Sequence, residues 1–132
     1  MSLLSREALL KRRPRRTKSV MIDPDFSDRE LAGQTILVQA MTARERAEFE
    51  KQFVDKSGKP IPSRHNEIRE RLVIATVVDK EGNLLFADGD LPALKEVDAA
   101  ILEAIVKASQ ELNSISTDDL DELAKNSSAT PS

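Results

Sequence analysis

The chain has no cysteine, no tryptophan and no tyrosine, and only four phenylalanines in 132 residues. Without cysteine, disulfides and thiolate metal sites are excluded. With so few aromatic platforms, bases and sugars lose the rings on which they usually stack. The glycines, at 33, 58, 82 and 89, are too dispersed to cradle a phosphate, and GxGxxG, GxxxxGK[ST], GxSxG and HExxH are all missing. A single histidine, His65, has no second histidine with which to share a metal, and reads as a surface residue. Carboxylates are plentiful, but they fall in turns and helix caps rather than on a face that closes around a substrate. The chain therefore reads as a non-enzyme, with no catalytic residue, cofactor or metal ligand assigned. No apolar run approaches the roughly 20 residues of a membrane span. The opening MSLLSREALLKRR has basic residues after its leucines and no apolar stretch of signal-peptide type. A soluble, unprocessed protein is expected.

What is present is an apolar fraction of 39% against 33% charged residues, enough for one core and too little for two. The net charge of −3 hides an asymmetry. Residues 1–66 hold 14 Lys/Arg and 9 Asp/Glu, a balance of +5, whereas residues 67–132 hold 6 and 14, a balance of −8. The two halves thus face different electrostatic partners, or each other. The densest run of positive charge is KRRPRRTK, six basic residues in eight. It reads first as a solvated, self-repelling arm, and second as a contact for nucleic acid or an acidic protein surface through Arg12, Arg13, Arg15 and Arg16.

Along the chain, residues 2–13 allow a short basic helix that Pro14 stops at Arg13. Val20–Ile22 and Ile36–Gln39 are short β-branched segments, separated by turn residues around Pro24 and Gly33, and predict a two-stranded ribbon. Asp23, Asp25, Ser27 and Asp28 begin like a calcium loop, but its sixth position is Asp28 rather than Gly and its twelfth is Gln34 rather than Glu, so they read as turn chemistry. Thr42 and Glu45 have capping-box spacing and open a helix to about Val54 that carries Phe49 and Phe53 on one face. DKSGKPIP is then a loop of about eight residues, and Ser63 is a plausible cap for the next element. Residues 72–87 fit either a hairpin or a helix to about Val77. The polar run NEIRER leading in at a 3.6 period favours the helix, with Asp79, Gly82 and Asn83 making a turn after it. Asp90 caps LPALKEV, with Pro92 in the first turn. A long helix from about Val97 to Leu112 carries the stripe Ile101, Ile105, Ala108 and Leu112, and Asn113 ends it. Ser116 and Asp119 open a last acidic helix, DDLDELAK.

In order, TARERAEFE, RLVIATVVDKEGNLLF, the acidic break ADGDLPAL and LNSISTDDLDELAKN resemble the tail assembly chaperones of long-tailed bacteriophages, over roughly residues 19–126. That resemblance also supports the helix before VVDKEGN. The expected fold is α+β, mainly α: a small two-stranded N-terminal β-ribbon followed by a compact bundle of about four to five helices. Residues 1–18 are expected as a basic flexible arm, 19–126 as the single domain and 127–132 as a disordered tail. The resemblance implies a non-enzymatic protein in the cytoplasm of a bacterial host. Such a protein binds the tape-measure protein, with other tail proteins as further partners, keeps it soluble while the tail tube assembles, and is absent from the mature virion. Candidate partner-binding residues are Arg12, Arg13, Arg15 and Arg16 in the arm, and Phe49, Phe53, Ile101, Ile105 and Leu112 on the helices. The two phenylalanines read as core before they read as a docking stripe. A homo-oligomer stays open, a membrane is excluded, and nucleic acid is disfavoured because only the arm is basic. The alternatives are a small nucleic-acid-binding or regulatory protein that uses the arm, and an adaptor that stays in the particle.

Overall fold

The computed structural model describes residues 2–125. A five-residue helix α1 (Arg6–Leu10) precedes an antiparallel sheet of strands β1 (Thr17–Met21), β2 (Thr35–Gln39) and β3 (Val77–Val78), in the order β1-β2-β3. The helices α2 (Ala43–Lys51), α3 (Pro62–His65), α4 (Ile68–Thr76), α5 (Leu91–Leu94), α6 (Ala99–Leu112) and α7 (Thr117–Lys125) complete the described chain. The fold is α+β, as expected, with a third short strand that the sequence reading did not contain and with α3 and α5 reduced to single turns.

One face of the sheet is core. The pairing Lys18↔Val38, Val20↔Ile36 and Val38↔Val77 puts Val20, Ile36, Val38 and Val77 on that face, where α6 packs across β1 and β2 and α4 packs against α6. The long helix is anchored at both ends. Asp98 accepts hydrogen bonds from the Ala100 and Ile101 backbone N–H groups, so the helix starts two residues later than its apolar pattern suggested. At the other end Ser114 takes a left-handed φ of 54°, while Ile115 N–H donates to the Gln110 carbonyl at 2.8 Å and Ser114 N–H to that of Glu111. This is a Schellman closure without the usual glycine, and it drives Ile115 into the core. Asn113 does more than stop the helix, because its Oδ1 accepts from Met41 N–H at 2.7 Å and joins the end of α6 to the start of α2.

Where α4 meets α6, the hydroxyls of Thr76 and Ser109 lie 2.8 Å apart with no solvent exposure. Each also reaches the carbonyl four residues back, Thr76 to Leu72 at 2.7 Å and Ser109 to Ile105 at 3.0 Å. Two hydroxyl protons serve three contacts, so the bond between the helices competes with a back-bond.

Two turns share one design. In DKSGK the Asp55 carboxylate accepts from the Ser57 and Lys59 N–H groups, Gly58 takes φ +82°, and Val54 bridges to Pro60. In DKEGN the Asp79 carboxylate accepts from the Glu81 and Asn83 N–H groups, Gly82 takes φ +85°, and Val78 bridges to Leu84. Residues 55–59 therefore form a tight turn rather than an eight-residue loop. The choice at residues 72–87 resolves into both answers in succession: α4 runs to Thr76, then Val77–Val78 turns back as the first arm of a short hairpin and also pairs with β2.

Several sequence expectations are corrected. Residues 15–18, expected in the flexible arm, are held by the sheet. Arg15 Nε and Nη2 donate to the Ala40 carbonyl at 3.1 and 3.0 Å, Arg16 O accepts from Ala40 N–H, and Thr17 and Lys18 belong to β1. Ser63 is no cap, since it lies inside α3, which begins at Pro62 after Ile61. The Asp90 carboxylate accepts from Ala87 N–H and closes the 3-10 turn Asp88–Asp90, so it does not cap α5 through its side chain. Thr42 and Glu45 form the expected capping box, although α2 ends at Lys51 and continues only as turns to Val54. The reading of 127–132 as a tail lies outside the described residues.

Candidate partner-binding surfaces

Among the described residues no group of three or more His, Asp or Glu side chains converges to hold a metal, and none of the helices is long and apolar enough to cross a membrane. The surface offers shallow apolar grooves instead. The first lies between β1 and α6, with a volume of about 290 Å³, lined by Val20, Met21, Ile22, Phe26, Ile101 and Ala104. The second is the sheet face turned away from the helices, where Leu37, Val78 and Leu85 border a depression of about 430 Å³. The third, about 210 Å³, has Phe49, Ile74 and Leu84 in its walls and Glu45, Glu48 and Asp88 around it.

The DKEGN turn populates two of these grooves. Because alternate residues of an extended segment point to opposite sides, Leu84 reaches the α2/α4 groove and Leu85 the open sheet face. Both remain more than half exposed, at 58% and 53%. Met21 belongs to the same category at 63%, and so do Leu3, Leu4, Leu9 and Leu10 around α1, which has no buried residue. Single exposed leucines are ordinary, whereas Leu84 and Leu85 stand next to each other on one hairpin, each beside an apolar groove.

The sequence-derived candidates separate into two groups. Phe49 and Phe53 are 1% exposed and pack edge to face with ring centroids 5.3 Å apart, so they build the core, with Phe49 also backing the wall of the third groove. Ile105 and Leu112 are likewise buried. Ile101 alone of the long-helix stripe reaches the surface, in the β1/α6 groove. Arg12, Arg13 and Arg16 are exposed, while the Arg15 guanidinium is occupied by the Ala40 carbonyl and by an ion pair with Glu45. The exposed apolar residues the sequence reading did not select are Met21, Leu84 and Leu85, with half-buried Leu37 beside Leu85. Their signal was the parity of the strand positions, readable once β1 and β2 are paired in register.

Charge on the body is arranged in local pairs. Glu67 receives Arg71 Nη2 at 2.9 Å and Lys95 Nζ at 2.8 Å, and the hydrogen bonds from Lys95 and Arg71 hold its carboxyl below the ordinary glutamate value. Lys18 pairs with Glu111 and fastens β1 to α6, and that hydrogen bond lowers the Glu111 pKa. Asp119 is lowered by the backbone and side chain of Ser116, the reciprocal cap that opens α7.

No protein-family model matches the chain, and no curated protein matches it. Among solved structures, the chain is similar to that of the bacteriophage HK97 tail assembly chaperone, with 13% sequence identity and a TM-score of 0.49, over 80% of this chain and 88% of that one.

Proposed function

We propose that this protein is a phage or prophage tail assembly chaperone that binds an extended, helical tape-measure protein, keeps it soluble during tail-tube assembly and leaves before the virion matures. The observation that carries this reading is local to the segment that resembles the family. Within RLVIATVVDKEGNLLF, the turn that follows α4 presents Leu84 and Leu85 to two different shallow grooves. A long client with repeated apolar side chains is better held by many modest contacts than by one deep pocket, and such contacts release when the client is handed on. The acidic residues Glu48 and Asp88 beside one groove favour basic stretches of the client and steer their approach.

Co-expression with the tape-measure gene of the same phage tests it. The client should become soluble and co-purify, and Leu84→Ser with Leu85→Ser should abolish the gain while native circular dichroism is kept. A client equally soluble with and without this protein removes the reading.

A second reading draws on the exposed guanidinium groups of Arg12, Arg13 and Arg16, which suit phosphates. It demands a steep loss of affinity with salt, whereas client binding through leucines changes only moderately.

A further inference from the structure

We propose that two copies of this chain pair through the free edge of β1, antiparallel and centred on Ser19, to make one continuous sheet across a two-fold axis. The edge is defined by the hydrogen bonding. Ala40 N–H donates to Arg16 O and Ile22 N–H to Gln34 O, so the even-numbered residues of β1 exchange bonds with β2. Thr17, Ser19 and Met21 therefore point their N–H and C=O groups away from the sheet, and among the described residues no strand pairs with them. A bare edge is a template for another strand.

Charge selects a second copy as that strand. Reading RRTKSVMID against itself in reverse about Ser19 puts Thr17 opposite the partner's Met21, while Arg15, opposite the partner's Asp23, keeps its guanidinium on Ala40 and Glu45 of its own chain. About six backbone bonds close, all between groups now facing water. Carried past the strand, the same register brings Arg13 to the partner's Asp25, so the basic run KRR of each copy lies along the acidic loop DPDFSDRE of the other. The exposed leucines just upstream, Leu9 and Leu10, then approach the apolar β1/α6 groove beside Phe26 of the partner subunit. One arrangement uses the unpaired edge, the acidic loop, the basic arm and the unpacked leucines together. The dimer goes beyond the chaperone reading and does not depend on it.

Sedimentation velocity of the full chain across a concentration series should show a monomer–dimer equilibrium. Ser19→Pro removes an outward N–H and leaves the β1–β2 ladder untouched, so it should raise the dimer Kd at least tenfold. Because the chain has no cysteine, single introduced thiols map the register without background. Ser19→Cys should cross-link to a covalent dimer under mild oxidation, its Cα atoms lying about 5.5 Å apart in a bonded pair. Thr17→Cys alone should not, since the two Thr17 positions fall about 13 Å apart along the strands. Arg13→Glu and Asp25→Arg should each weaken the dimer and together restore it. A monomer at about 100 µM, or equal cross-linking at positions 17 and 19, or a dimer that Ser19→Pro leaves unchanged in a folded protein, overturns the proposal.

Discussion

Two N-terminal truncations separate the arm from the fold. Removing residues 2–14 deletes α1 and its exposed leucines, which bury nothing, so the melting midpoint of the monomer should stay within about 2 °C. Removing residues 2–18 deletes four residues more and should be costly. The losses are the Arg16–Ala40 backbone bond, the Lys18↔Val38 rung of the ladder, the two Arg15 bonds to the Ala40 carbonyl and the ion pairs to Glu45 and Glu111. At about 1 kcal/mol net per hydrogen bond, with two bonds in the rung, the gross loss is near 5 kcal/mol, while the exposed ion pairs add little. Freed chain entropy in the deleted residues returns part of this, at about 1 kcal/mol for each residue whose backbone was held only loosely. A net loss of about 2 kcal/mol remains, or roughly 6–10 °C for a domain of this size. Thermal melts followed by circular dichroism at low protein concentration would measure it. If both truncations melt alike, Arg15 to Lys18 belong to the arm and not to the sheet.

Ile105→Asp places an unpaired carboxylate mid-way along α6 in the core, and should lose several kcal/mol and the native circular dichroism; a folded variant that merely stops binding a partner would make the buried stripe a docking face. Ser114→Gly relieves the left-handed residue in the closure of α6 and should raise stability by about 0.5–1 kcal/mol in urea titrations, with a loss counting against the Schellman geometry. For Glu67, the lowered folded pKa means its stabilisation is fully present above the unfolded value near 4.5 and disappears as pH falls through the folded one. Glu67→Gln should therefore cost about 1–2 kcal/mol at pH 7, and the difference from the parent should shrink below about pH 4; a gap constant from pH 7 to pH 3 contradicts the assignment.

Periodic and capped elements were legible in the sequence because local chemistry sets them. The Thr42/Glu45 box, the Ser116/Asp119 cap, the α6 stripe and the Asp79-Gly82 turn each need only residues within one or two turns of chain, and all four stand in the structure. The misses are non-local. Arg15 and Arg16 look like one more basic pair, and only the position of Ala40, 25 residues on from Arg15, makes them part of a sheet. Val77–Val78 is too short to announce a strand, and exists as one because β2 already offers an edge. Ser114 gave no glycine signal, since the closure of α6 is enforced by burying Ile115 rather than by backbone preference.

The same distinction explains why the candidate surface was harder to read than the core. A buried stripe is written into one helix, so Ile105 and Leu112 could be placed from spacing alone. The apolar face of a sheet is written across strands. Leu37, Val78 and Leu85 share a face only because Leu37 pairs with Val78 and the Asp79–Asn83 turn folds Leu85 back beside Val77, whose carbonyl accepts its N–H at 3.0 Å. Shifting β3 by one residue would exchange the faces of Val77 and Val78, both of them buried, and undo the packing on each side. The DKEGN turn opposes that slip, because Gly82 takes φ +85° and the Asp79 carboxylate accepts from the Glu81 and Asn83 N–H groups, which together set the length of the turn. A glycine that looks like simple turn chemistry in the sequence therefore fixes which leucines and valines the sheet presents to a partner.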